Sequence, residues 1–237
     1  MNVSGTGGRQ LPFEWGHEPS HHEHDFIEGE GNRLALAHIR AFPNWSGPLA
    51  LIEGPAKSGK SHLARIWAER TGAALAADLE ALAGEGGTAP LVVEDVDRAG
   101  YDEDALFHLL NQAMRDGRPV LMTAREAVAN WPFETDDLKS RARLAAHFTV
   151  AVTDDIQLSQ MFVKLFGDRQ VTVDPKIISY LVARMERSPE EAVALAEMVD
   201  RIALSRGTAI TRSVAAAALA ERGIDEDELD LEGSDDE

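Results

Sequence analysis

Two glycines, a lysine and a serine at fixed spacing carry the first chemistry in this sequence. Gly54-Pro55-Ala56-Lys57-Ser58-Gly59-Lys60-Ser61 fits the pattern GxxxxGK followed by Ser or Thr in full. The glycines let the backbone turn tightly enough to aim successive N–H groups at a phosphate. Lys60 can reach a β- or γ-phosphate, and the Ser61 hydroxyl suits a Mg2+ ligand. The plain alternative is a glycine turn ahead of an ordinary helix. The apolar run Leu49–Ile52 in front and the helical face Leu63, Ile66, Trp67 behind favour the cradle. Gly54, Ser58, Gly59, Lys60, Ser61 and His62 are therefore candidate contacts to ATP or ADP.

A second constellation lies about 35 residues on. Leu91-Val92-Val93-Glu94-Asp95-Val96-Asp97 reads as a buried strand that ends in carboxylates. At the carboxyl edge of a parallel sheet such acids suit a nucleotide-bound cation, so Glu94 and Asp95 join the candidates, with Asp95 beside Ser61 as metal ligand. An acidic loop after a core strand is the bland reading in so acidic a chain. Pro119–Met122 is a further strand, ending at Thr123 near the same edge.

These residues need a scaffold, and the pattern supplies one. Asn32–Phe42 places Leu34, Ala35, Ile39 and Phe42 at helical spacing. Ala73–Ala76 could be a brief strand and Asp78–Leu82 a short helix. Tyr101–Arg115 is a helix with Leu106, Leu109, Leu110 and Met114 inward. Alternating strands and helices predict a parallel sheet covered on both faces. From Asp154 only helices follow: Ile156–Phe166, Pro175–Met185, Pro189–Leu204 and Thr211–Ala220. The expected organisation is a leader over residues 1–24, an α/β domain over 25–153, a helical domain over 154–222 and an acidic tail over 223–237.

Composition narrows the function classes. The 237 residues are 44% hydrophobic and carry a formal charge of −18; nine acids lie in Asp225–Glu237, so the remainder still carries −9. That balance disfavours a surface that tracks nucleic-acid phosphates. Cysteine is absent, which excludes disulfides and zinc thiolates. No apolar run suits a signal peptide or a membrane span, so the expected location is cytoplasmic. In the polar leader, Gln10-Leu11-Pro12-Phe13-Glu14-Trp15 is an apolar island that either docks on its own domain or binds another protein. His17, His21, His22 and His24 cluster nearby, but a leader offers metal ligands no supporting shell, so they are read as solvated.

Several further segments make the sequence similar to the AAA+ proteins of the bacterial initiator DnaA and, within that group, to the Hda family of regulatory inactivators. Besides the cradle with its trailing His62-Leu63, they are Asp25-Phe26 with Asn32-Arg33-Leu34-Ala35, Leu106-Phe107-His108-Leu109-Leu110-Asn111, Thr123-Ala124-Arg125, and Leu138-Lys139-Ser140-Arg141. The resemblance spans about Phe26 to Ala220. It implies an AAA+ P-loop NTPase core, with a parallel sheet between helices, followed by a small all-α lid. It also implies that Phe26 lies beside the adenine and that Thr123 ends the sensor 1 strand.

The same resemblance implies a role for Arg141 as an arginine finger, lent in trans to ATP held by DnaA. From the residues alone, Arg141 is one of a basic group with Lys139 and Arg143. The family's leader binds the β sliding clamp, and Gln10, Leu11 and Phe13 look like a compact form of that peptide. The expected function is negative regulation of replication initiation, with weak ATP hydrolysis of its own. An autonomous P-loop ATPase, and an initiator paralogue or helicase loader, are the alternatives. The sequence departs from the initiator pattern at Glu94-Asp95, which replaces two aspartates, at Ala124, which replaces Asp, and at Glu190, which replaces the sensor 2 Arg. The resemblance also stops where an initiator continues into its helix-turn-helix domain, which is expected to separate inactivator from initiator.

Overall fold

The structure is a computed structural model, and it describes residues 22–76, 79, 87–152 and 154–224. The apolar island Gln10–Trp15, most of the expected helix 78–82 and the acidic run from Asp225 lie outside the described residues.

Five parallel strands form the sheet in the order β2-β3-β4-β1-β5: β1 (Leu49–Glu53), β2 (Ala74–Leu75), β3 (Leu91–Val93), β4 (Val120–Ala124) and β5 (Ala146–Thr149). Both faces are covered, as the apolar strands require. Leu49, Leu51, Val93, Val120 and Met122 pack under α3 (Glu103–Asp116) and α4 (Asp136–Ala142). Their strand neighbours Ala50, Ile52, Val92 and Leu121 point the other way, under α1 (Arg33–Ala41) and α2 (Lys60–Thr71). A separate apolar core joins α5 (Asp155–Asp168), α6 (Pro175–Val182), α7 (Pro189–Arg206) and α8 (Arg212–Glu221) around Phe162, Phe166, Leu181, Leu195 and Val199.

Helix ends follow local chemistry. Asp102, Asp154, Asp174, Ser188 and Thr211 each accept a first-turn amide with the side chain, and Pro175 and Pro189 open their helices where no amide is missed. The inward faces differ from expectation in two places. Leu34 is 68% exposed and Leu36 is buried instead, while Met114 is 37% exposed on α3. The rest of each face is as expected: Ala35 and Ile39 stay buried on α1, and Leu106, Leu109 and Leu110 on α3, where Ala113 rather than Met114 is enclosed. Strand β5 was not anticipated, because Ala146-His147-Phe148-Thr149 is a half-exposed edge with little apolar signature.

His38 on α1 has a pH consequence. Its ring stacks on Trp45 at 4.5 Å and lies 4.5 Å from Phe148, and its buried Nε2 finds no hydrogen-bond partner. Burial lowers its pKa below the ordinary histidine value. The fold therefore favours the neutral ring, and the unfolded chain binds more protons just below pH 6.5. This contribution is complete above the unfolded pKa and is lost as pH falls through that value towards the folded one. Melting temperature is expected to drop between pH 7 and 5.5 by more in the parent than in His38→Phe. Parallel pH profiles for the two proteins would contradict this.

Candidate nucleotide site

β1 delivers the chain to the cradle, and tight packing dictates its glycines. At Gly54 a Cβ would lie 2.1 Å from the Val150 carbonyl oxygen. At Gly59, which caps α2, φ is 101°, a left-handed value that favours glycine. Ser58 and Lys60 are both 5% exposed, and the Ser58 Oγ is buried without a partner. The Lys60 ammonium donates to the Pro55 carbonyl at 2.6 Å. Its burial pushes its pKa below the usual lysine value; Asp95, Asp97 and Glu190 support the charge and Arg125 opposes it. Ser61 is exposed in the first turn of α2.

The acidic edge meets this cradle. Gly54 N–H donates to the Ala124 carbonyl at 3.2 Å, which sets the end of β4 against the cradle's first residue. Thr123 is fully buried, and its hydroxyl accepts from the Asp95 amide at 2.9 Å, so it acts on the site through Asp95. Asp95 sits at φ 48°, a left-handed conformation that Asp tolerates. Glu94, next to Asp95, has a buried Oε1 for which the described residues offer no partner. Ser58 Oγ, buried without a partner in the same cradle as the Lys60 ammonium, is a polar group that a phosphate would satisfy, and Asp95, whose charge acts on Lys60, is the carboxylate at hand for its cation.

Two site residues escaped the sequence reading. Asp97, 6% exposed, accepts from the Arg125 amide at 3.2 and 3.1 Å and from the Glu126 amide at 2.9 Å, tying the ends of β3 and β4 together. Tyr101 donates to the Ala76 carbonyl at 3.4 Å, and burial together with Glu94 and Asp95 raises its pKa. The acid two places after Asp95 was the one available signal for the first.

Phe26 flanks the cradle. Its Cε2 lies 3.3 Å from where a Cβ on Gly59 would stand, and its ring meets His62 edge to face at 5.1 Å. Glu190 is exposed in the first turn of α7, among the charges that act on Lys60. The structure thus brings together Phe26, Gly54, Ser58, Gly59, Lys60, His62, Asp95 and Thr123, with Glu94 next to Asp95 just beyond β3.

This arrangement of cradle, sheet and helical domain is shared with solved structures. Domain III of the Thermotoga maritima replication initiation protein DnaA superposes with a TM-score of 0.70 at 14% identity, over 86% of this chain and 97% of that one. The chain has the AAA+ P-loop NTPase fold. T. maritima RuvB matches with a TM-score of 0.67 at 16% identity over 88% of this chain and 76% of its own, and AMPPCP-bound DnaA from Aquifex aeolicus with 0.63 at 19% over 88% and 71%. No family model matches the sequence, and no curated protein does. Among the described residues no helix is long and apolar enough to cross a membrane.

Arg141 lies apart from this AAA+ cradle. It is near the end of α4, which leads into the amino end of β5, whereas the cradle leaves the carboxyl end of the neighbouring parallel strand β1. There it lines an open hollow of about 340 Å³ with Phe107, Asp137, Ser140 and Leu144. Arg143, two positions on, is exposed.

Proposed function

We propose that this protein is a nucleotide-loaded AAA+ regulator that lends Arg141 to ATP bound by DnaA and so promotes its hydrolysis in trans. One observation carries the reading: the finger candidate stands at the opposite sheet edge from its own phosphate cradle. A guanidinium there serves a neighbour's phosphates, where its planar fork can neutralise charge developing on the transferred group. In the chain's own site, Lys60 and the cradle amides would hold the phosphates of ADP or ATP. Ser61 and Asp95 would hold Mg2+, with Glu94 alongside. The cation would supply charge neutralisation across the phosphate oxygens.

Self-hydrolysis would be weak. Glu190 places a carboxylate where the related initiator has an arginine, and a second negative charge near a γ-phosphate disfavours ATP relative to ADP. The test is steady-state turnover by the isolated protein: negligible turnover supports the regulator, and robust multiple turnover supports an autonomous ATPase.

The tether is a separate expectation. Leu11→Ala combined with Phe13→Ala should abolish binding to the β sliding clamp, read by calorimetry, because two apolar anchors next to Gln10 would carry most of a short peptide's affinity. ADP affinity should be unchanged. Retained clamp binding would contradict the assignment, and a lowered melting temperature would show that the island docks on its own domain.

A further inference from the structure

Residues 22–24 were expected to belong to a free leader, but the segment His22–Phe26 is fastened to three helices. Its Glu23–Asp25 turn places the Glu23 carboxylate between two arginines. Arg40 on α1 donates to it at 2.8 Å, and Arg70 in the last turn of α2 donates at 3.1 Å. The His22 carbonyl accepts from His62 Nε2 at 3.0 Å, in the first turn of the same α2. Lys164 on α5 donates to the Asp25 carbonyl at 3.1 Å. Phe26 then closes against Gly59 and His62. Five residues therefore bridge both ends of the cradle helix and the helical domain.

We propose that His22–Phe26 is a strap linked to nucleotide occupancy, with Glu23 as its positioning residue: the strap retains bound nucleotide, and nucleotide in turn orders the strap. The inference rests on the nucleotide reading of the cradle. A ligand that presses on Phe26 or on the first turn of α2 acts on the same five residues through which the leader joins the domain. The coupling is reciprocal, so whatever factor the nucleotide contributes to strap order, an intact strap returns to nucleotide affinity. The hydrogen bond from Arg40, with Arg70 beside it, holds the Glu23 carboxyl below the usual carboxylate range.

The experiment uses the full chain with ADP as probe. Amide exchange at His22–Phe26 is measured with and without ADP, and the dissociation rate of a fluorescent ADP is measured for the parent, Glu23→Gln and Arg70→Gln. ADP should slow exchange of the strap in the parent. Both variants should release ADP about tenfold faster, within the usual range for coupled sites, at unchanged melting temperature without nucleotide. Arg70→Gln breaks the same bridge from the other side and covers the case in which Glu23→Gln fails to fold. A parent that binds ADP with a strap indifferent to it, and variants that release ADP at the parental rate, would overturn the strap alone. A parent that binds no ADP would overturn the nucleotide reading and the strap together.

Discussion

Arg141→Ala is expected to abolish stimulation of DnaA-bound ATP hydrolysis while leaving this protein's own nucleotide binding intact. The loss should be on the order of 10³- to 10⁵-fold, the range in which an arginine finger acts. Own-site binding is spared because the side chain lines a hollow with Phe107, Asp137, Ser140 and Leu144 at the far sheet edge. Arg141→Lys should rescue little, since an ammonium keeps the charge but loses the planar fork. Arg143→Ala is the control for generic basic charge, because Arg143 is exposed nearby and points elsewhere around the helix end. Equal losses from both alanine variants would indicate diffuse electrostatic docking, and single-turnover hydrolysis on the initiator separates the outcomes.

Lys60→Ala has the second largest expected effect, on affinity. Truncating one partner of a buried charge pair costs about 2–5 kcal/mol, or roughly 30- to 5000-fold in Kd. Nucleotide at a hundred times Kd stabilises a fold by about 2.7 kcal/mol, so a hundredfold weaker site at the same concentration would retain only about 0.4. The ADP-induced rise in melting temperature should therefore nearly vanish. Stability without nucleotide should hold, because the ammonium is buried at a desolvation cost that lowers its pKa. A variant that ADP stabilises as much as the parent would contradict the cradle.

The cradle was legible because its information is local: two glycines, a lysine and a serine at fixed spacing, with an apolar strand ahead and an amphipathic helix behind. The helix starts at Pro175 and Pro189 were legible for the same reason. Contacts between distant segments were not. Asp97 gains its role only because β3 and β4 are neighbours, which places its carboxylate on the Arg125 and Glu126 amides. Glu23 lies 17 and 47 residues from its two arginines, so nothing in the leader's polar composition announced the bridge. Edge strand β5 lacked the buried apolar run by which the central strands declared themselves. Leu34 and Leu36, two positions apart, lie on opposite sides of α1, and packing under the sheet buries Leu36.

The most direct measurement follows the nucleotide on DnaA in a reconstituted mixture of ATP-loaded initiator, DNA-loaded clamp, ADP and this protein. The account predicts conversion of initiator-bound ATP to ADP that requires this protein, the clamp and Arg141. Unchanged initiator-bound ATP with the parent protein, or full conversion with Arg141→Ala, would contradict it.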